Sequence, residues 1–206
     1  MKLNQDILKS EAISFCQIQN KLNHPDLVGI NDKKSIGEYI KHKFKDFLKN
    51  KYDFDYNSSS KWIYFLDSEI NTDINLTYIK QPHSSLPFKN ARQKVYGLGH
   101  NLLVFVCDKQ DNDNECYINF KHCTFIESSK TSDYTLTRRL REMIEDDAIK
   151  EDIISFLMDR NLPGDEIIFS NLADEILKNP PEQGYLTIFN ALQWKILNIN
   201  NYDWQW

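Results

Sequence analysis

A chain of 206 residues with 41% hydrophobic, 27% charged and 13% aromatic residues is long enough to bury a sizeable core without disulfide or metal staples, and one domain with a helical appendage is the default reading. No apolar run approaches the ~20 residues that cross a bilayer, and residues 1–6 are not followed by a signal-peptide apolar core, so the sequence predicts a cytoplasmic protein with no membrane segment. The net charge of −5 argues against a nucleic-acid partner until it is divided: residues 1–100 hold 15 Lys+Arg against 11 Asp+Glu and residues 101–206 hold 10 against 19, leaving a basic first half suited to phosphates and an acidic second half suited to scaffolding or dimer contacts.

Residues 3–22 read as a helix with Ile7, Leu8, Ile13, Phe15 and Ile18 on an apolar face, closed by His24-Pro25. Ser35 is read as the N-cap of a second helix, in which Ile36, Ile40, Phe44, Phe47 and Leu48 recur at helical spacing. Its other face, Lys41, Lys43, Lys45 and Lys49, reads as a solvated basic surface. Three strands follow, over residues 52–56, 62–66 and 70–79, the last alternating Ile74, Leu76 and Tyr78 against Asp73, Asn75 and Thr77. After a polar loop with Pro82 and Pro87, residues 91–98 form a short helix ended by Gly97 and Gly99. The unbroken apolar run Leu102 to Val106 marks a strand buried on both faces, and residues 116–126 return beside it after a turn at 109–114. From Tyr134 the pattern is helical, with stops at Pro163-Gly164 and Pro180-Pro181, and residues 184–199 are read as a last helix. The predicted fold class is α/β, a mixed central sheet flanked by helices. Residues 1–130 form the core and residues 131–206 a helical C-terminal region packed on it as one domain.

The chemistry centres on two carboxylates. Asp67 ends one predicted strand and Asp73 lies on the polar face of the next, after a short turn around Ser68 and Glu69. Hydrolysis of a phosphodiester calls for hard oxygen ligands that hold Mg2+ against the scissile phosphate, and two Asp side chains across a tight turn supply them. Asp is depleted in strands, which makes Asp73 hard to read as structural. Asp67 also suits an Asx turn, and Glu38 suits an ordinary exposed helix position. Cys107, Cys116, His122 and Cys123 lack a paired CxxC knuckle and are read as structural and not as a zinc site, and these cysteines, with Cys16, are expected as free thiols.

At these residues the sequence resembles the PD-(D/E)XK nuclease superfamily and, more narrowly, type II restriction endonucleases. Leu66-Asp67 stands where Pro-Asp is usual, and Asp73-Ile74-Asn75 stands where Asp/Glu, an apolar residue and Lys are usual. The segments Thr77 to Ser85 and Ala91 to Gly99 are also similar to restriction enzymes, so the likeness covers roughly residues 35–126. It implies a restriction-endonuclease-like core and Mg2+-dependent cleavage of double-stranded DNA. The metal would be held by Asp67 and Asp73, with Glu38 as an additional acidic group from the preceding helix. Asn75 takes the lysine position; it can bond a water but carries no charge, and Lys80 and Lys61 are candidate substitutes for the lost ammonium.

The expected DNA contacts are Lys80, Gln81, Ser84, Ser85, Asn90, Arg92 and Lys94, which flank the acidic pair and include types that bond phosphates and groove edges. A homodimer is expected, because a palindromic site is cut on both strands by two-fold related subunits. Its interface is expected in the second half, centred on Leu140, Ile144, Phe156 and Leu157, with Arg138, Arg139 and Arg141 able to reach DNA from the dimer edge. Two other readings stand beside this one: a catalytically inactive nuclease fold that still binds DNA, and a protein-interaction module whose hairpin carboxylates are structural.

Overall fold

The computed structural model describes residues 2–54, 70–79 and 88–186 with their side chains, and the strand segments 56–59, 62–65, 83–84, 187–190 and 193–196 by their backbone. The chain divides into two compact units, one made of residues 1–84, 101–126 and 200–206, the other of 85–100 and 127–199. Among the described residues no helix is long and apolar enough to cross a membrane.

The first unit opens with helices α1 (Gln5–Gln19) and α2 (Lys33–Lys49). Each starts on a side-chain cap that satisfies free amides of the first turn. Asn4 accepts from the Ile7 amide at 2.9 Å. In α2 the cap is Asp32, three residues earlier than the Ser35 expected; its carboxylate accepts from the Ser35 amide at 2.9 Å and from the Ser35 hydroxyl at 2.6 Å. Ile36, Ile40, Phe44 and Leu48, one per turn, are buried.

Strands β1 (Tyr56–Ser59), β2 (Trp62–Phe65), β3 (Thr72–Tyr78), β5 (Asn101–Asp111) and β6 (Cys116–Ile126) form a sheet in the order β1-β2-β3-β5-β6, with a two-residue β4 (His83–Ser84) between β3 and β5 in the chain. β1 lies later than the expected residues 52–56, because its pairing with β2 runs from Tyr56 opposite Phe65 to Ser59 opposite Trp62. β3 and β5 are parallel, Asp73 opposite Leu102 and Asn75 opposite Val104, while the other pairs are antiparallel. The result is the mixed sheet with flanking helices that the sequence predicts. The core gathers Leu8, Phe15, Ile40, Phe44, Ile74 and Phe105. In it the Phe15, Phe44, Phe105 and Phe120 rings meet at tilted or edge-on angles with centroids 5.0–5.9 Å apart. Cys16, Cys107 and Cys116 are buried in the same core as free thiols.

β6 is an edge strand, and asparagines close part of that edge. The Asn20 amide donates to the Phe120 carbonyl at 3.1 Å and accepts from the Phe120 N–H at 2.6 Å; Asn23 accepts from the Cys116 N–H at 3.0 Å. The chain's own polar side chains thus take up groups that would otherwise template another strand.

The second unit contains α3 (Ala91–Tyr96), α4 (Tyr134–Glu145), α5 (Lys150–Asp159), α6 (Glu166–Lys178) and a hairpin of β7 (Leu186–Asn190) and β8 (Gln193–Ile196). The hairpin replaces the helix expected over 184–199. Its register sets Leu186 opposite Ile196 and Ile188 opposite Trp194, and the β-branched and aromatic residues of this stretch outweigh its helical spacing. Ala91, Val95, Leu136, Leu140, Ile153, Leu157 and Ile176 form the unit's own core. Leu140 and Leu157 are fully buried in it and are unavailable as the centre of a dimer contact, a correction to the expected interface. Gly97 joins α3 to the turn that follows because nothing larger fits: its φ is +91° and an added Cβ would lie 2.2 Å from the Ser128 carbonyl oxygen.

Candidate functional site

β3, in the middle of its sheet, buries a polar face. Asp73 is 2% exposed and Asn75 5%, and Thr77 is equally enclosed. Buried polar groups are costly unless they are bonded, so the partners of these atoms indicate what the face is for. The Asn75 amide donates to Asp73 Oδ2 at 3.0 Å. Asp73 Oδ1 is buried with no hydrogen-bond partner among the described residues. Burial pushes the Asp73 carboxyl up to about 6, against the Lys41 ammonium, the Ile74 amide and the Asn75 amide, all of which favour its ionised form.

The lysine comes from α2 and was missed by the sequence reading, which assigned Lys41 to a solvated face. It is half-buried, and Lys45 one turn on is buried. Burial holds the Lys41 ammonium below the usual lysine range, while the negative charges of Asp73 and then Glu38 act the other way. A run of alternate lysines gives no warning of this; the only hint is that Lys41 and Lys45 continue, at four-residue intervals, the row begun by Gly37. The start of β3 is fixed by β5: the Asn101 side chain donates to the Ile70 carbonyl at 2.9 Å and its N–H to the Asn71 carbonyl at 2.8 Å. Asn71 takes a left-handed conformation there, with φ of +33°.

Asp73 and Asn75 are thus bonded neighbours on β3, and α2 brings up Lys41, on whose ammonium the charges of Asp73 and Glu38 both act. Their chemistry fits a divalent cation with a preference for oxygen. An unpaired buried carboxylate oxygen is a hard donor ready for a ligand, and Mg2+ is commonly held by one or two carboxylates, with water and phosphate oxygens completing its shell. Asp73 Oδ1 fits that role, with the Glu38 carboxylate as the further acidic group in reach of the same ammonium. No cluster of three or more His, Cys, Asp or Glu that could hold a metal occurs among the described residues. Asp67, Lys61, Lys80, Gln81 and Ser85 lie outside the described residues, as does the side chain of Ser84.

The remaining expected DNA contacts belong to the second unit. Asn90 caps α3, accepting from the Gln93 amide at 2.9 Å. Arg92 is paired bidentately with Glu175, at 2.7 and 3.0 Å, and lies over the Tyr96 ring. Lys94 is half-exposed, and its carbonyl accepts from the Asp133 N–H at 2.8 Å. Arg138 and Arg139 share Glu142, and Arg141 donates to the Pro181 carbonyl.

Residues 2–201 match the family model described as type II restriction enzyme NspV. The chain belongs to this family. It is 43% identical over 196 residues to the type II restriction enzyme NspV of Nostoc sp. (strain ATCC 29411 / PCC 7524), an alignment covering 94% of this chain and 88% of the relative. No solved structure matches the chain.

Proposed function

We propose that the protein is a type II restriction endonuclease that binds double-stranded DNA at a specific site and hydrolyses its phosphodiester bonds with Mg2+, working as a homodimer. The observation that carries this reading, within the family, is the buried Asp73 carboxylate with one oxygen bonded to Asn75 and the other without a partner among the described residues. Such an oxygen is expensive in a purely structural strand and is readily explained as a cation ligand. Bound Mg2+ would supply positive charge against the phosphate and acidify a water. Asp73 is the ligand this chain offers from β3, Asp67 the expected second, and Glu38 the further acidic group. Asn75 fixes the Asp73 carboxylate through Oδ2, leaving Oδ1 to the cation. The homodimer would use apolar groups still exposed in the second unit, Met158, Ile167 and Ile168, which are 51%, 71% and 48% exposed.

The test is cleavage of double-stranded DNA of high sequence complexity with Mg2+ or with a chelator. Discrete fragments that need Mg2+ and vanish in Asp73→Asn are expected. Binding without cutting would favour the inactive nuclease fold, for which the uncharged Asn75 is the specific argument. Neither binding nor cutting would leave the interaction-module reading.

A further inference from the structure

A phosphodiester-cleaving site needs fixed positive charge near the attacked phosphorus, and β3 provides only the neutral amide of Asn75 beside Asp73. We propose that Lys41 of α2 supplies this charge, acting next to Asp73 from the helix instead of from the strand. The inference rests on the nuclease reading above and names a residue through which that reading would work.

Three observations lead to it. The first is placement: Gly37, Lys41 and Lys45 form a four-residue row flanking the core stripe of α2, and an added Cβ at Gly37 would stand 3.9 Å from the Leu76 Cβ of β3. The row therefore touches β3 at Gly37, with Lys41 one turn further along. The second is burial. A lysine that only solubilises a helix extends its ammonium into water, whereas Lys41 is half-buried and Lys45 is 8% exposed. The third is company: Lys41 interacts with the carboxylates of Asp73 and Glu38, both argued above to face a cation. A partly buried ammonium on which two carboxylates act is oriented before substrate arrives, which is what makes such a charge effective. Lys80 and Lys61, the substitutes considered from sequence, lie outside the described residues.

In the hydrolytic step the water oxygen forms a bond to phosphorus and one phosphorus–oxygen ester bond breaks. The water gives up a proton to solvent and the leaving oxygen takes one from it. Lys41 keeps its own protons throughout and acts by charge, holding the water and offsetting the negative charge that builds on the phosphate.

The experiment compares the wild-type full chain with Lys41→Met, Asn75→Lys, the double variant Lys41→Met/Asn75→Lys, and Asp73→Asn. Single-turnover cleavage, DNA binding without Mg2+, and calorimetric titration of Mg2+ into metal-free protein are measured for each. Lys41→Met is expected to cut at least about a hundredfold more slowly with DNA affinity lowered by far less than the rate, and to bind Mg2+ at least as tightly as wild type because a like charge has been removed. Moving the ammonium to β3 in the double variant should restore at least tenfold of the lost rate, which no merely structural lysine would allow. If Lys41→Met does not melt cooperatively, Lys41→Gln replaces it under the same criteria. Cleavage within threefold of wild type by the Lys41 variant, while Asp73→Asn is dead, overturns the assignment and leaves the nuclease reading intact. So does Mg2+ binding weakened in step with activity. A wild type that cuts no DNA overturns the nuclease reading, and the assignment falls with it.

Discussion

Asp73 is held in a state that costs folding energy. With its carboxyl pushed from 3.8 to about 6 by burial, the folded protein keeps a proton that the unfolded chain releases between those values. Stability therefore falls as pH rises through this window, and the whole cost is present above it. Asp73→Asn removes the cost while keeping the shape, so the metal-free variant is expected to be more stable than wild type by about 1–2 kcal/mol at pH 8, with no advantage at pH 4. Urea denaturation at the two pH values checks this; a variant equally or less stable at pH 8 would mean that the carboxylate is satisfied within the fold and is not kept for a ligand. Asp73 was legible in the sequence because an aspartate on an alternating strand contradicts strand propensity. The partial burial of Lys41 was not, since nothing in a lysine-rich helix face tells which side chain the fold will enclose.

The elements rest on a few polar details whose removal should be visible. Asn20→Ala strips both the Phe120 N–H and its carbonyl of their partner, and should cost about 1–3 kcal/mol in thermal unfolding and lower solubility by opening the β6 edge. A change confined to stability, with solubility intact, would show that α1 still covers that edge. Gly97→Ala drives a methyl into the Ser128 carbonyl at a left-handed φ and should destabilise by more than about 2 kcal/mol; a neutral melt would mean that the turn relaxes freely. Helices and central strands were legible where one signal dominated: the four-residue stripe of α2, and the run Leu102 to Val106 that became β5. Where two signals competed, the sequence misled. Residues 184–199 carry helical spacing together with Thr187, Ile188, Phe189 and Trp194, and pairing between β7 and β8 decided the outcome. The start of α2 went wrong because Asp32 and Ser35 are both good caps, and a carboxylate that accepts from two donors of the other residue wins.

For the whole molecule, the burial of Leu140 and Leu157 moves the expected self-association to Met158, Ile167 and Ile168. Sedimentation at micromolar concentration should give a dimer that Ile167→Asp converts to monomer with an unchanged melting temperature; a wild-type monomer, unaltered by DNA, would limit the protein to single-strand cuts or to binding. The order in which the chain visits its two units has a further consequence. It leaves the first unit after residue 84, enters the second for residues 85–100, returns for β5 and β6, and passes to the second again at residue 127. The insertion is essential to its host, since Ala91 and Val95 of α3 are fully buried in the second core beside Leu136 and Ile176. Of two fragments split near residue 130, the first would carry residues 85–100 away from their host and the second would lack them, so the second should not fold until the two are mixed. The second unit is therefore not severable at one point of the chain: a cut that frees the residues after 127 leaves behind the helix that completes their core.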